Sequence, residues 1–237
     1  MALVEAMDRS LDRFVLSAYR QNPPRIAQDA PADEMARAMR RLRRRWLDRF
    51  EEAGPELGAF FANKAWRQSD AQLRMILRKA GISVKFEMTP MMRDQLQATI
   101  HEQVGLIRSI ASQHLDKVEG IVMRGVTRGA DSGLIAKELQ AQFGVTKRRA
   151  ALIARDQTTK ATATMTRARQ QELGIEKAIW LHSGIKTKGH YRPTHLKNNG
   201  KRYTVTEGWY DPHEQRRIWP GELINCRCVS KPVIAGF

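Results

Sequence analysis

The stretch TKRRAALIARDQTTKATATMTRARQQELGIEKAIWLHSG (146–184) decides the architecture of this chain. Thr146 supplies a capping hydroxyl and Gly174 a terminator, so the spacing predicts a long helix between them. Taken as continuous, Lys147 to Leu173 is a rod of about 40 Å at 1.5 Å per residue. Past Gly174 the character changes, and Ala178, Ile179, Trp180 and Leu181 read as a strand entering a small sheet. Inside the helix, Arg155, Asp156, Gln157 and Thr158 form an unusually polar run. It has two readings: a buried network at a helix–helix or subunit interface, or a solvated face.

Upstream, the sequence is helical in pattern. Leu3, Val4, Met7, Leu11, Phe14, Val15 and Ala18 recur at three- and four-residue steps until Pro23-Pro24. A second helix follows Pro31, with Met35, Met39, Leu42, Trp46 and Phe50 on its apolar stripe and an end expected at Gly54-Pro55. Further helical pieces run to Gly81, with Ser69 as a cap. Ile82, Val84, Phe86 and Met88 then alternate with Ser83, Lys85 and Glu87, which marks a strand or an extended connector and the expected joint of the chain. Thr89-Pro90 starts another helix that breaks at Gly129. Asp131-Ser132 caps a short one ending at Gly144.

Downstream, Asn199-Gly200 is a hairpin signal followed by the strand-like Arg202-Tyr203-Thr204-Val205. Pro212, Pro220 and Gly221 punctuate a loop-rich stretch, and Cys226 to Ile234 reads as a final strand. The expected class is α+β: a mainly helical N-terminal two-thirds with a long helix, then a small strand- and loop-rich C-terminal module. The expected segments are an N-terminal helical region 1–88, a central helical region 89–175 and a C-terminal module 176–237.

The 237 residues include 41 basic and 25 acidic ones, a formal net charge of +16. That balance favours polyanionic partners, of which nucleic acid is the commonest. No apolar run reaches the roughly 20 residues that span a bilayer. The opening MALVEAMDRSLDRF carries Glu5, Asp8 and Asp12 and no signal-type apolar block, so export by that route is not expected.

Two groups of residues carry candidate chemistry. Arg40, Arg41, Arg43, Arg44 and Arg45 form either a contact for DNA phosphates or a solvated helix face; no base-reading motif accompanies them. In the C-terminal module, His190 and His195 flank Arg192-Pro193, and Cys226 and Cys228 bracket Arg227. Imidazole and thiolate suit zinc, so these four are candidate ligands of a structural ion; two buried, reduced cysteines in a small core is the competing reading. A module rich in aromatics and loops often needs such a staple. No catalytic residue is assigned. Asp211-Pro212-His213, and His195 with Asn199, are the nearest approaches to a hydrolase arrangement, and neither has a specific spacing.

The order of signals over about 110–237 resembles the phage Mu F-like head morphogenesis family of minor capsid proteins. The resemblance rests on ALIARDQTTKATATMTRARQQELGI (151–175), Trp180 with His182-Ser183-Gly184, Arg192-Pro193-Thr194-His195, Asn199-Gly200-Lys201, and most of all PGELINCRC (220–228). It implies a non-enzymatic virion protein of few copies, made in the host cytoplasm and incorporated during procapsid assembly. The partners it implies are the portal protein, a scaffold or major capsid protein, and packaged DNA held without sequence preference; some members leave with the genome. Relatives that carry a cysteine pair where RPTH stands have His190 and His195 as counterparts here. With the chain stopping at Phe237, no appended toxin domain is expected. A non-specific DNA-binding protein and a metal-dependent nuclease are the alternative functions.

Overall fold

The computed structural model describes residues 1–21, 30–79, 81–184 and 191–234. Four long helices come first: α1 (Ala2–Gln21), α2 (Ala30–Lys79), α3 (Pro90–Arg128) and α4 (Ser132–Glu172). A module of short elements follows: β1 (Lys177–Leu181), α5 (Pro193–Lys197), β2 (Arg202–Thr204), β3 (Trp209–Asp211), β4 (Arg216–Ile218) and β5 (Val229–Pro232). The α+β class with a mainly helical N-terminal two-thirds is what the sequence predicts.

Several helix boundaries follow from side-chain caps. Thr89 Oγ1 accepts the Met92 N–H at 3.4 Å, and Asp131 Oδ1 accepts those of Gly133 and Leu134 at 2.7 and 3.0 Å. Gly174, with φ of 67°, ends α4 in the left-handed conformation that glycine adopts without a Cβ clash.

Other expected boundaries are absent. Gly54-Pro55 does not end a helix, because Pro55 lies inside α2. The ring removes one N–H and leaves the carbonyl four residues back without its helical partner. Glu51 and Pro55 are both exposed, so that carbonyl stays open to solvent and the helix continues. Ser69 is not a cap either; it is buried in mid-helix with its Oγ 2.9 Å from Thr166 Oγ1. Gly144 and Thr146 fall within α4, which starts at Ser132. A glycine inside a helix costs only about 1 kcal/mol, which tertiary packing overrides. Thr146 bonds back to the Gln142 carbonyl at 3.1 Å instead of capping.

Packing divides the chain into two units, 1–57 with 103–153 and 58–102 with 154–237. These differ from the linear segments 1–88, 89–175 and 176–237 because α2, α3 and α4 each supply residues to both units.

The first unit is built on apolar stripes. Val4, Met7, Leu11, Val15 and Tyr19 of α1 pack with Met35, Met39, Leu42, Trp46 and Phe50 of α2, with Leu115, Val118 and Val122 of α3 and with Ile135 and Leu139 of α4. Two buried polar groups find partners: Trp46 Nε1 donates to Ser10 Oγ at 3.2 Å and the Tyr19 hydroxyl to the Ala130 carbonyl at 2.6 Å. His114 is 2% exposed, with Nδ1 2.8 Å from Thr146 Oγ1 and no partner for Nε2 among the described residues.

The second unit has a smaller helical core of Ala62, Met92, Leu96, Met165 and Ala168. Residues 81–89 pair with no strand. Ile82, Val84, Phe86 and Met88 are half-buried between exposed neighbours, which is the connector reading of that alternation. In the terminal module, β1 lies between β2 and β5, antiparallel to both, with Ala178 opposite Tyr203 and Trp180 opposite Ser230. β3 and β4 form the hairpin. Asn199-Gly200 is not a hairpin turn between neighbouring strands: it lies between α5 and β2, where the Gly200 N–H donates to the Trp180 carbonyl at 2.8 Å. The last strand is shorter than expected, since Cys226 to Cys228 precede β5 without strand pairing.

Burial drives the His114 pKa down to about 4 from an ordinary value of 6.5. Between those values the unfolded chain takes up a proton that the folded chain refuses. The contribution to stability is therefore complete above pH 6.5 and declines as pH falls toward 4, by about 1.4 kcal/mol per unit. Asp8 in the same unit, raised to about 6 mainly by burial and then by Asp12, acts in the opposite sense. The expected result is that the difference in unfolding free energy between the native chain and His114→Gln shrinks on acidification across this window. A pH-independent difference would exclude a buried neutral imidazole.

Candidate functional site

The site begins with α5, whose Pro193 at the first helical position directs the short helix so that His195 is buried at 2% exposure. The other side is the loop carrying PGELINCRC, which rests on the C-terminal part of α4. Gly221, at φ of 84°, approaches that helix so closely that a Cβ would lie 2.7 Å from Ala163 Cβ. Asn225 turns the chain at φ of 58°; its N–H donates to Asp156 Oδ1, and its side chain accepts from Arg155 at 3.2 Å. Asp156 also pairs with Lys160 at 3.2 Å. Asp156 and Gln157 are buried while Arg155 is exposed, so part of the polar run of α4 forms a buried network, against a loop and not against the second helix expected. Its partner is the loop that presents the cysteines.

With loop and helix held, three groups converge. The sulfurs of Cys226 and Cys228 lie 3.5 and 3.7 Å from His195 Nδ1, and all three side chains are buried. His195 Nε2 faces Asp211 Oδ2 at 3.5 Å, a contact too long to be a good hydrogen bond, and it has no other partner among the described residues. Asp211 is fully buried and held in place by the Thr194 hydroxyl at 3.1 Å and the His213 N–H at 2.8 Å. Trp180 packs edge-on to the imidazole, with ring centres 5.0 Å apart. Its indole N–H lacks a well-formed hydrogen bond and acts instead on the Cys228 sulfur.

The two thiols titrate as a pair. The hydrogen bond from Cys228 is the main influence that pulls Cys226 below the thiol range, against its burial and with help from His195 and the Cys228 and Gly221 N–H groups. The same bond, followed by burial and the neighbouring charge, drives Cys228 up.

Of the four candidate ligands, His195, Cys226 and Cys228 come together; His190 lies outside the described residues. Asp211 and His213 do not form a hydrolase pair through their side chains, because His213 is exposed and meets Asp211 only through its backbone. Nor does Asn199 face His195 as a partner; its side chain accepts the His182 N–H at 2.8 Å. Asp211 behind His195 and Asp156 beneath Asn225 are roles that spacing did not reveal, since each partner is distant in sequence.

The arginine candidates lie in the first unit, on α2. Arg40, Arg41, Arg44 and Arg45 are exposed, line an open cleft of about 440 Å³ with Arg37 and Asp48, and form no ion pair among the described residues. Arg43 is half-buried and engaged with Asp116.

Comparison with known proteins bears on the part of the chain that builds the His–Cys cluster. Residues 116–231 match the family described as Phage Mu protein F like protein. That region belongs to the Phage Mu protein F like family. The family is one of phage head morphogenesis, structural in kind. An uncharacterized protein from Haemophilus influenzae is 32% identical over 177 residues, covering 73% of this chain and 38% of that protein. The chain therefore spans well under half of that relative. No solved structure matches. The Mu F-like region takes in both partners of the α4–loop contact, Asp156 and Asn225.

Replacing Asp156 with Ala removes the acceptor for the Asn225 N–H and leaves that donor unsatisfied at a half-buried site, at a cost of about 1–3 kcal/mol. Thermal unfolding should show the destabilisation, and Cys226 and Cys228 should react faster with a thiol reagent. Unchanged thiol reactivity would separate the cysteine loop from the helix contact.

Proposed function

We propose that this chain is a minor capsid protein of a tailed phage or prophage, acting in procapsid assembly beside the portal and internal DNA. The observation that carries the reading is the Mu F-like match over 116–231, across the region that builds the cysteine loop and its helix support. Portal protein, scaffold or major capsid protein, and packaged DNA are the partners of this proposal. Among the described residues no helix is long and apolar enough to cross a membrane, which suits a site in the head. Burial supports a structural rather than catalytic part for the His195 cluster, because a nuclease centre must admit a phosphodiester and His195 is 2% exposed.

Particles decide the matter. Mass spectrometry of purified procapsids and full virions should find the protein at few copies per head, and deleting its gene should abolish DNA-filled heads. Comparing virions before and after DNA release shows whether it leaves with the genome. Absence from both particle types, with undiminished phage yield in the deletion, would refute the proposal.

A second observation favours contact with DNA backbone. Arg37, Arg40, Arg41, Arg44 and Arg45 follow three- and four-residue spacing along one face of α2, and the last four are exposed without ion pairs among the described residues. Such a face neutralises phosphates by counterion release and reads no bases. Replacing Arg41, Arg44 and Arg45 together by Gln should weaken binding about equally for unrelated duplexes. The slope of log K against log salt should fall by about 0.9 for each phosphate no longer neutralised. A strong preference for one duplex sequence, or an unchanged slope, would rule out this role for the face.

A further inference from the structure

We propose that His195, Cys226 and Cys228 bind one zinc ion, through Nδ1 and two thiolates, as a structural centre of the C-terminal module. The distances match the ion. Zinc takes sulfur at about 2.3 Å and imidazole nitrogen at about 2.0–2.1 Å, so each sulfur–nitrogen edge of a tetrahedral site is about 3.6 Å. The two edges observed are 3.5 and 3.7 Å, and all three ligand atoms lie within 4.8 Å of one another.

Packing alone does not call for this arrangement. A neutral imidazole has one lone pair, which accepts one good hydrogen bond, yet Nδ1 faces two sulfurs at nearly equal distance. An ion near the centre of that triangle satisfies all three groups together. Asp211 supplies the matching constraint behind the ring. A buried carboxylate facing Nε2 favours the tautomer with its proton on Nε2, which leaves the Nδ1 lone pair aimed at the sulfurs. Carboxylate–histidine–metal arrangements orient ligands in this way, and removal of the carboxylate typically weakens metal binding 10–100-fold.

The apolar core of the module itself is small. Its core is Ala178, Trp180, Tyr203, Val205, Ile218, Leu223 and the two cysteines, so the sulfurs are a sizeable part of what it buries. An ion bound there contributes its binding energy directly to folding. Two sulfurs and one nitrogen leave the fourth position of a tetrahedral site to a light oxygen or nitrogen ligand.

The test uses the full chain purified under reducing conditions without a histidine tag. Elemental analysis should find one zinc per chain, and X-ray absorption should show two sulfur neighbours with the remainder light atoms. Cobalt substitution should give the thiolate charge-transfer band and visible absorption of a tetrahedral ion. Cys226→Ser and Cys228→Ser should lose stoichiometric zinc, and a chelator should lower the melting temperature of the native chain. Should the cysteine variants fail to fold, Asp211→Asn decides: zinc affinity, read by competition with a chromophoric chelator, should fall 10–100-fold. Three results would overturn the proposal: no stoichiometric zinc in folded native protein after reconstitution with the metal, full zinc retained by folded cysteine variants, or unaltered affinity in folded Asp211→Asn.

Discussion

Arg169 carries a full charge at a position 1% exposed, and the second unit is assembled around what satisfies it. Its guanidinium donates to both oxygens of Asp70 on α2 at 3.2–3.4 Å, to the Glu87 carbonyl of the connector at 2.8 Å, and to Glu172 on α4 at 2.5 Å. The Phe86 ring covers it, 4.6 Å from the guanidinium carbon. An unpaired charge so deeply buried is prohibitively unfavourable, so the three segments must arrive together. Removing one partner of such a pair typically costs about 3–5 kcal/mol, because the other is left without compensation. The pairing also accounts for the connector, which makes no sheet: the Glu87 carbonyl is aimed at Arg169 and not at a neighbouring strand.

From Asp156 to Gln170, α4 is a helix whose polar residues are put to use against the terminal module. Asp156 holds the Asn225 N–H, Ala163 leaves room for Gly221, and Arg167 lies 4.3 Å from the Trp219 ring centre. Gln170 accepts from Ser230, which in turn accepts from Tyr203 at 2.6 Å; burial pushes the Tyr203 phenol up to about 12, so it stays neutral. The small residues on this face let backbone approach backbone. The polar ones then supply the hydrogen bonds that a loop-rich module cannot supply to itself. The Mu F-like sequence signals, separated by some seventy positions, meet at this helix face, which gives their association a physical reason.

The two candidate sites sit in opposite environments. The His195 cluster is dry, small and ringed by an aromatic and a carboxylate, conditions that favour a held ion and disfavour turnover of a large substrate. Arg40, Arg41, Arg44 and Arg45 are exposed, without ion pairs among the described residues and aligned on α2, which suits a diffuse polyanion and gives no means of selecting sequence.

Periodic burial was legible directly. The apolar stripe of α1, the caps at Thr89 and Asp131, the glycine stop at Gly174 and the switch to short strands after it are local features, set by side-chain chemistry within a few residues. The same locality misled at Gly54-Pro55, Ser69 and Gly144: each marks a helix end or cap in isolation, yet each lies inside a helix, because the carbonyl freed by Pro55 stays open to solvent, Ser69 is engaged with Thr166, and packing outweighs a cost of about 1 kcal/mol at Gly144. At the site, the sequence by itself offered His190, His195, Cys226 and Cys228 as candidate ligands, beside the reading of two buried, reduced cysteines, and identified Arg155 to Thr158 as anomalously polar. It did not say that Asp211 backs His195, that Asp156 anchors Asn225, or that Asp70 and Glu87 close on Arg169. Those pairings join residues 16 to 99 positions apart. Residue type determines which groups need a partner once buried, but which partner arrives depends on how the helices and loops pack, and only the tertiary structure decides that.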